Sequence, residues 1–302
     1  RRRILAWGFS WLLSVAMGPA AGEVLTPASQ AAIESLREGA RRSDSDALRV
    51  VRDSVVLAEE RKNEGPEQGF ETMSVTKSLV ALGIGHLLTE GKITSLDQPV
   101  ADFFPEWKQG RKALITLRML LDHTSGLQNV ADTSVEIYPA PDGWQLALAA
   151  EISNPPGQQF AYNNKAMNLL AAVFEKAAGE RMDRYIQRTL LTPMGIEGRT
   201  WNDHGFDRAG HPYAMAGWNA TADAMVKVGQ LVLDEGRWQG RVLVDAGFIR
   251  EMVAQSPPDV PEYGLLWWRR TESVFLSIDP EAVEVQSAAG MHPDIVDALR
   301  GL

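Results

Sequence analysis

The chain has 302 residues, a formal net charge of -9 and no cysteine. The acidic balance argues against a nucleic-acid partner, because phosphate binding requires a basic surface. The missing cysteine excludes disulfides, thiolate metal sites and a cysteine nucleophile. The five histidines form neither an H-x-H nor an H-E-x-x-H pattern, so we expect no metal and no other cofactor.

The N-terminus has the pattern of a secretory signal peptide over residues 1–22. Basic Arg1–Arg3 precede an apolar stretch, Ile4–Met17, and small residues for cleavage follow at Gly18–Ala21. The alternative is an uncleaved anchor, which would hold the protein near a membrane through this segment only. Both alternatives place the folded part outside the cytoplasm, as a secreted or periplasmic protein.

Helix and strand patterns follow each other along the next part of the chain. An apolar stripe predicts a helix over 27–42, and a valine-rich alternation predicts a strand over 48–57. A strongly apolar stretch predicts a long buried helix over 69–88, with Gly91 as its C-cap. Prolines at 99 and 105 indicate an irregular connector over 97–107.

The middle of the chain is predicted to be mainly helical, and strands return late. Helical patterns cover 116–121, 144–152, 165–178, 182–190 and 222–233. Thr221 is a predicted N-cap, Tyr263–Arg269 resembles a strand, and 293–302 resembles a short helix. This order predicts an α+β domain interrupted by a mostly helical one. We assign 23–95 and 235–302 to the α/β part and 96–234 to the helical part.

Ser74-Val75-Thr76-Lys77 forms an S-x-x-K motif. Positions i and i+3 of a helix share a face, so the Lys77 amine can reach the Ser74 hydroxyl. A serine hydroxyl is a weak nucleophile until a base takes its proton. A lysine takes that proton only when neutral, which requires a pKa lowered by burial or by nearby positive charge. The apolar sequence that follows predicts such burial for Lys77.

Tyr162-Asn163-Asn164 forms a Y-x-N motif after the turn-forming segment 154–160. A tyrosine near Ser74 is suited to relay a proton to a leaving group. The Asn164 amide is suited to bind a substrate carbonyl and to help hold Lys77.

These segments together resemble the class C β-lactamase-like serine hydrolases, which include D-alanyl-D-alanine carboxypeptidases and β-lactamase-fold esterases. The resemblance rests on Ser74–Lys77, Leu120–Leu127 and Pro155–Asn164 in this order. Further similar segments are 91–100, 192–196, 220–223 and 263–268. The resemblance implies a β-lactamase/transpeptidase-like fold, in which helices flank an antiparallel sheet.

The resemblance also implies roles for the motif residues. Ser74 would be acylated and Lys77 would take its proton. Tyr162 would act as general base or proton shuttle, and Asn164 would contact the substrate amide. The substrate would be a small or peptidoglycan-like ester, amide or β-lactam. The Ser74 backbone N–H would supply half of the oxyanion hole.

Two departures from the family pattern keep an alternative open. The third motif of the family, K-T-G or H-x-G, is not found, and 287–292 matches it poorly. We therefore expect the chain to stop before the final strands and helix of the family. The alternative to an exported serine hydrolase is a non-catalytic, penicillin-binding-like sensor or a truncated inactive module.

Other residues are weaker candidates for chemistry. His123 lies in the turn 122–126, and we interpret it as structural and not as part of a Ser-His-Asp triad, since Ser74 already has Lys77. His292 is interpreted as solvent-facing. Tryptophans 218, 267 and 268 are candidates for a cleft, although core packing is the commoner use of tryptophan.

Overall fold

The computed structural model describes residues 26–52, 55–62, 69–198 and 201–269. The predicted signal peptide, the poor third-motif match at 287–292, His292 and the predicted helix over 293–302 lie outside these residues. Two compact units divide the chain, one over residues 1–63 and one over 64–302. They are described separately below.

The first unit contains a helix and a β-hairpin. Helix α1 spans Pro27–Arg42 and begins after Thr26, whose hydroxyl accepts a hydrogen bond from the Ser29 N–H. Strands β1 (Ala47–Arg52) and β2 (Val55–Arg61) pair antiparallel, with a bulge between Val50 and Val51. The prediction of one strand over 48–57 was therefore wrong. In the sequence, polar Arg52, Asp53 and Ser54 interrupt the valine-rich pattern, and Arg52 is the last residue of β1.

Short helices are the main regular elements of the described second unit. Helix α2 spans Thr76–Thr89 and is the longest of them. The remaining helices, in chain order, are α3 (Leu117–Leu121), α4 (Thr133–Glu136), α5 (Gly143–Ala149), α6 (Asn164–Met167), α7 (Leu169–Ala178), α8 (Met182–Ile186), α9 (Ala222–Leu233) and α10 (Ala246–Met252). The strands are two-residue pairs: β3 (Phe70–Glu71) with β4 (Asn219–Ala220), and β5 (Arg237–Trp238) with β6 (Arg241–Val242). Antiparallel pairs combined with many helices confirm the α+β class.

Helix α2 runs through the core of the second unit. Its glycines let neighbouring aromatic side chains approach the backbone. A Cβ added at Gly83 would lie 2.7 Å from the Phe174 ring, and one at Gly85 would lie 2.4 Å from the Phe248 ring. Larger residues at these two positions would force α7 and α10 away from α2, because protein cores are close-packed.

The predicted helix over 69–88 begins later than expected. Phe70 and Glu71 pair with β4 instead, and Met73–Val75 form a 3-10 turn before α2 starts at Thr76. Met73 has a φ of 47°, in the left-handed region that an α-helix cannot include. The apolar sequence pattern alone did not reveal this break.

Other predicted elements were confirmed with changed ends. The predicted helix over 165–178 is divided at Asn168 into α6 and α7. Thr221 is the N-cap of α9, as expected, and accepts a hydrogen bond from the Ala224 N–H. The predicted strand over 263–269 was wrong, because the segment folds back on itself through hydrogen bonds from Gly264 N–H to the Trp267 carbonyl and from Arg269 N–H to the Glu262 carbonyl.

Within the described residues, no helix has the length and apolar character needed to cross a membrane. The division into an α/β part and a helical part stays a prediction.

Candidate active site

Ser74 and Lys77 lie where the 3-10 turn meets α2. The Ser74 side chain is exposed, whereas Lys77 is only 2% exposed. The Lys77 Nζ lies 3.0 Å from the Ser74 Oγ and donates a second hydrogen bond to the Met215 carbonyl at 3.0 Å. The predicted proximity of the two S-x-x-K side chains is thus present in the structure.

Hydrogen bonds to the segment before β4 hold this turn in place. The Thr72 hydroxyl donates to the Trp218 carbonyl at 2.9 Å, and the Trp218 N–H donates to the Thr76 hydroxyl at 3.1 Å. The Glu71 carboxylate accepts hydrogen bonds from the backbone N–H groups of Met73 and Gly217. Because these contacts flank Ser74 on both sides, the left-handed Met73 is fixed in place and the hydroxyl is presented to solvent.

The environment of Lys77 favours a neutral amine. Burial lowers the Lys77 pKa from 10.5 to about 7. Among the described side chains, no carboxylate lies within ion-pair distance of its Nζ, and its partners are a hydroxyl and a carbonyl. At neutral pH a substantial fraction of Lys77 is therefore unprotonated and able to accept a proton.

Tyr162 completes the group around Ser74. Its hydroxyl lies close enough to the Ser74 side chain to interact with it, and the Lys77 Nζ lies 4.9 Å from the centre of its ring. Burial raises the pKa of Tyr162, an effect partly offset by the interaction with Ser74. The phenol is consequently neutral at pH 7. This protonation state suits a proton shuttle better than a base.

The loop that carries Tyr162 is fixed by two asparagines. The Asn129 side chain donates to the Tyr162 carbonyl at 3.0 Å. Asn163 is the N-cap of α6 and donates through its side chain to the Leu127 carbonyl at 2.8 Å. Buried amide hydrogen bonds of this kind fix the backbone on either side of Tyr162 and therefore limit the positions of its phenol.

His123 forms a wall of the site and is no triad member. Its ring lies 4.5 Å from the Tyr162 ring, and its Nδ1 accepts a hydrogen bond from the Asn163 N–H. The Asp122 carboxylate bonds to Thr124 and Ser256. Burial, and secondarily the Lys77 charge, lowers the pKa of His123 to about 3, so the ring is neutral. The sequence interpretation recognised the turn but missed that its histidine contacts the catalytic candidate Tyr162.

Asn164 lies at the first position of α6 and is half-buried. Its Oδ1 is buried and has no hydrogen-bond partner among the described residues. Lys77 is held by Ser74 and the Met215 carbonyl, a contact that no sequence pattern indicated. The free Oδ1 is an acceptor suited to an incoming N–H group.

The three tryptophans singled out in the sequence lie in different environments. Trp218 is buried in the core, and Trp267 donates from its indole to the Ser78 carbonyl on α2. Trp268 is 64% exposed and contacts Tyr263 edge-on, with ring centres 4.7 Å apart. Only Trp268 therefore retains the exposure that a cleft residue needs.

A second polar cluster, formed by Asp142, Asp207 and His211, brings three possible metal-ligand atoms within 4.8 Å of one another. Asp142 is the N-cap of α5, and Asp207 accepts hydrogen bonds from the Gly143 and His211 N–H groups. The His211 ring also stacks on Trp144, with centres 3.7 Å apart. These internal contacts give the cluster a structural role, because they join α5 to the loop 207–211.

Comparison with known proteins agrees with this geometry. A family model described as beta-lactamase matches residues 30–273. Esterase EstB of Burkholderia gladioli is 28% identical over 146 residues, which cover 42% of this chain and 37% of the esterase. The 6-aminohexanoate-dimer hydrolase of Paenarthrobacter ureafaciens is 25% identical over 254 residues, which cover 78% of this chain and 64% of the hydrolase. The matched regions thus span less than two thirds of either relative.

Solved structures show the same fold at low sequence identity. A penicillin-binding protein homologue from Caulobacter crescentus has a TM-score of 0.63 and 18% identity, over 81% of this chain and 82% of that one. The octameric homologue from Pyrococcus abyssi has a TM-score of 0.60 and 21% identity, over 78% and 64%. The matched family model covers more than half of the sequence and includes all the site residues described above. The chain therefore belongs to the beta-lactamase family.

Proposed function

We propose that this protein is an exported serine hydrolase that acts through an acyl-enzyme at Ser74. The observation that carries the proposal is the buried Lys77 amine, which has no carboxylate partner within the described part of the chain and lies 3.0 Å from an exposed serine hydroxyl. A lysine with a pKa of about 7 has the proton affinity that a general base needs near neutral pH. Export rests on the N-terminal sequence pattern alone.

Acylation begins with proton transfer from the Ser74 Oγ to the neutral Lys77 Nζ. The Oγ forms a bond to the substrate carbonyl carbon, and the carbonyl electrons move onto its oxygen. As the tetrahedral intermediate collapses, the Tyr162 phenol donates its proton to the leaving group and recovers one from protonated Lys77. Water then attacks the ester and releases the acid, which restores Ser74.

Two further groups assist this sequence. The Ser74 backbone N–H, at the N-terminal end of the α2 region, supplies one oxyanion donor. The Oδ1 of Asn164, which has no hydrogen-bond partner in the segments that the structure describes, accepts an N–H from a substrate amide when the substrate has one. This assignment refines the sequence expectation, in which Asn164 also held Lys77.

An ester or linear amide is the substrate class that we favour over a β-lactam or peptidoglycan peptide. The two relatives described above are named as an esterase and as a hydrolase of an aminohexanoate dimer. All these substrates share the same acylation step, so the proposal for Ser74 does not depend on the choice between them.

The test is intact-protein and peptide mass spectrometry after exposure to a fluorophosphonate and to a penicillin. We expect a covalent adduct on Ser74 in the wild type, none in Ser74→Ala, and an unchanged adduct in the exposed-serine control Ser95→Ala. Hydrolysis of a p-nitrophenyl ester is measured in parallel. An adduct without turnover supports the non-catalytic sensor, and a folded wild type with no adduct removes Ser74 as the nucleophile.

A further inference from the structure

A cleft of about 510 Å³ opens beside Met73, the residue that precedes Ser74. Its walls include large apolar side chains, namely Met73, Tyr138, Phe206 and Tyr213. Met73 is 59% exposed and Tyr138 is 42% exposed. Concave surfaces with exposed large apolar groups are typical of ligand-binding sites.

The backbone places this cleft next to the reacting hydroxyl. Met73 immediately precedes Ser74 in the 3-10 turn. In the loop before β4, Ala216 and Gly217 line the cleft and directly follow Met215, whose carbonyl binds Lys77. We therefore expect a substrate group in the cleft to be separated by only a few covalent bonds from the carbonyl that Ser74 attacks.

The charges around the cleft favour an uncharged occupant. Among the described residues, no lysine or arginine lines it, whereas Glu71 and Asp203 do. A carboxylate on the bound group would be desolvated next to these two acidic side chains, and His204 is the one other titratable side chain with a basic group among the described residues of the lining. The Glu71 carboxylate is held by backbone N–H groups and by the Asn202 amide, so it belongs to the wall.

Tyr138 is the side chain best placed to select the occupant. It contacts Tyr213 edge-on, with ring centres 5.7 Å apart. Tyr213 itself is only 4% exposed and is fixed in the core, which leaves the Tyr138 ring supported on one side and open to solvent on the other. An aryl group that packs against this open face would add an aromatic contact and bury apolar area.

We propose that the cleft holds an uncharged aryl or bulky aliphatic group of the substrate and that Tyr138 is the residue that selects it. This inference rests on the proposed acyl-enzyme function and specifies the substrate class of the same site.

Matched thioesters test the proposal, with released thiol measured by a colorimetric thiol reagent. The reagent leaves the protein itself unmodified because the chain has no cysteine. The reference substrate is S-methyl thioacetate. An aryl group is added to the acyl side in S-methyl phenylthioacetate and to the leaving group in S-benzyl thioacetate. We expect kcat/KM to rise at least about tenfold for one of the two aryl substrates, which also identifies the half of the substrate that occupies the cleft.

Variants then locate the effect. Tyr138→Ala should remove most of the aryl preference and leave S-methyl thioacetate turnover unchanged, while Tyr138→Phe should retain the preference. Leu233→Ala removes an apolar side chain that is 78% exposed and does not line the cleft, and it should change nothing. A para-carboxyl group on the preferred aryl ring should lower kcat/KM at least about tenfold relative to a para-methyl group.

The outcomes separate this inference from the proposed function. If no thioester is hydrolysed by the folded wild type, the acyl-enzyme proposal itself fails. If S-methyl thioacetate is hydrolysed but neither aryl substrate is preferred, the cleft assignment is overturned while the function stands. An aryl preference that survives Tyr138→Ala, or equal turnover of the carboxyl and methyl analogues, also overturns the assignment.

Discussion

Two lysines at helix starts in the second unit are equally buried and have opposite surroundings. Lys77 in α2 and Lys165 in α6 are each 2% exposed. Lys165 donates to the Glu136 carboxylate at 2.6 Å and forms an ion pair. Lys77 contacts only a hydroxyl and a carbonyl among the described residues. The two equally buried amines therefore differ in their partners, since only Lys165 has a carboxylate beside it among the described residues.

Removing each amine in turn tests most strongly whether Lys77 and Lys165 have different roles. Lys77→Met should lower kcat/KM for a p-nitrophenyl ester by about 10³-fold or more, since Ser74 loses its base. Lys165→Met should keep activity within a few-fold, because its amine serves an ion pair. Steady-state kinetics on both variants, with a thermal melt to confirm folding, measures this contrast. Equal loss of activity in two folded variants would contradict the assignment of Lys77 as the base.

A smaller effect is expected from the proton shuttle. Tyr162→Phe retains the ring beside His123 and Lys77 but removes the hydroxyl that interacts with Ser74. We expect kcat/KM to fall about 10²-fold, with a larger fall for substrates whose leaving group has a high pKa. A set of phenyl esters with graded leaving groups measures this dependence. Equal losses across the set would show that Tyr162 does not protonate the leaving group.

The same two lysines should have opposite effects on stability. Lys77→Met should raise the free energy of unfolding at pH 7 by about 1 to 3 kcal/mol, because a desolvated amine is removed at the cost of two hydrogen bonds. The gain should shrink as the pH rises from 7 to 10.5, because folding releases a proton from Lys77 across this range and a rising pH favours that release. Lys165→Met should lower the free energy of unfolding by about 1 to 3 kcal/mol, because it removes the ion-pair partner of Glu136. Urea unfolding at two pH values tests both signs.

The pH dependence of activity should show the smallest effect. Below pH 7 the protonated fraction of Lys77 grows, so kcat/KM should fall about tenfold per pH unit and level off above pH 7. His123, with a pKa of about 3, should not contribute to this limb. A pH-rate profile of the wild type is sufficient for the measurement. A limb near pH 4 would indicate a carboxylate base and contradict the assignment.

The sequence determined the reactive pair and much of the fold. Spacing on a helix brings positions 74 and 77 together wherever the chain is helical or close to it, so the contact followed from the motif. The apolar sequence after Lys77 correctly indicated burial. The resemblance also gave the family and the α+β class, because several short segments occur in its order.

Only the tertiary structure decided the electrostatics and the surroundings of the site. The contact of Lys77 with the Met215 carbonyl joins residues 138 positions apart, and a backbone carbonyl carries no sequence signature. Contacts between segments that meet only after folding also determine three other features. These are the position of His123 against Tyr162, the left-handed Met73 and the cleft lined by Tyr138. Local spacing fixes which side chains are neighbours on one helix, whereas the partners of Lys77, a hydroxyl and a carbonyl among the described residues, depend on every element packed around it.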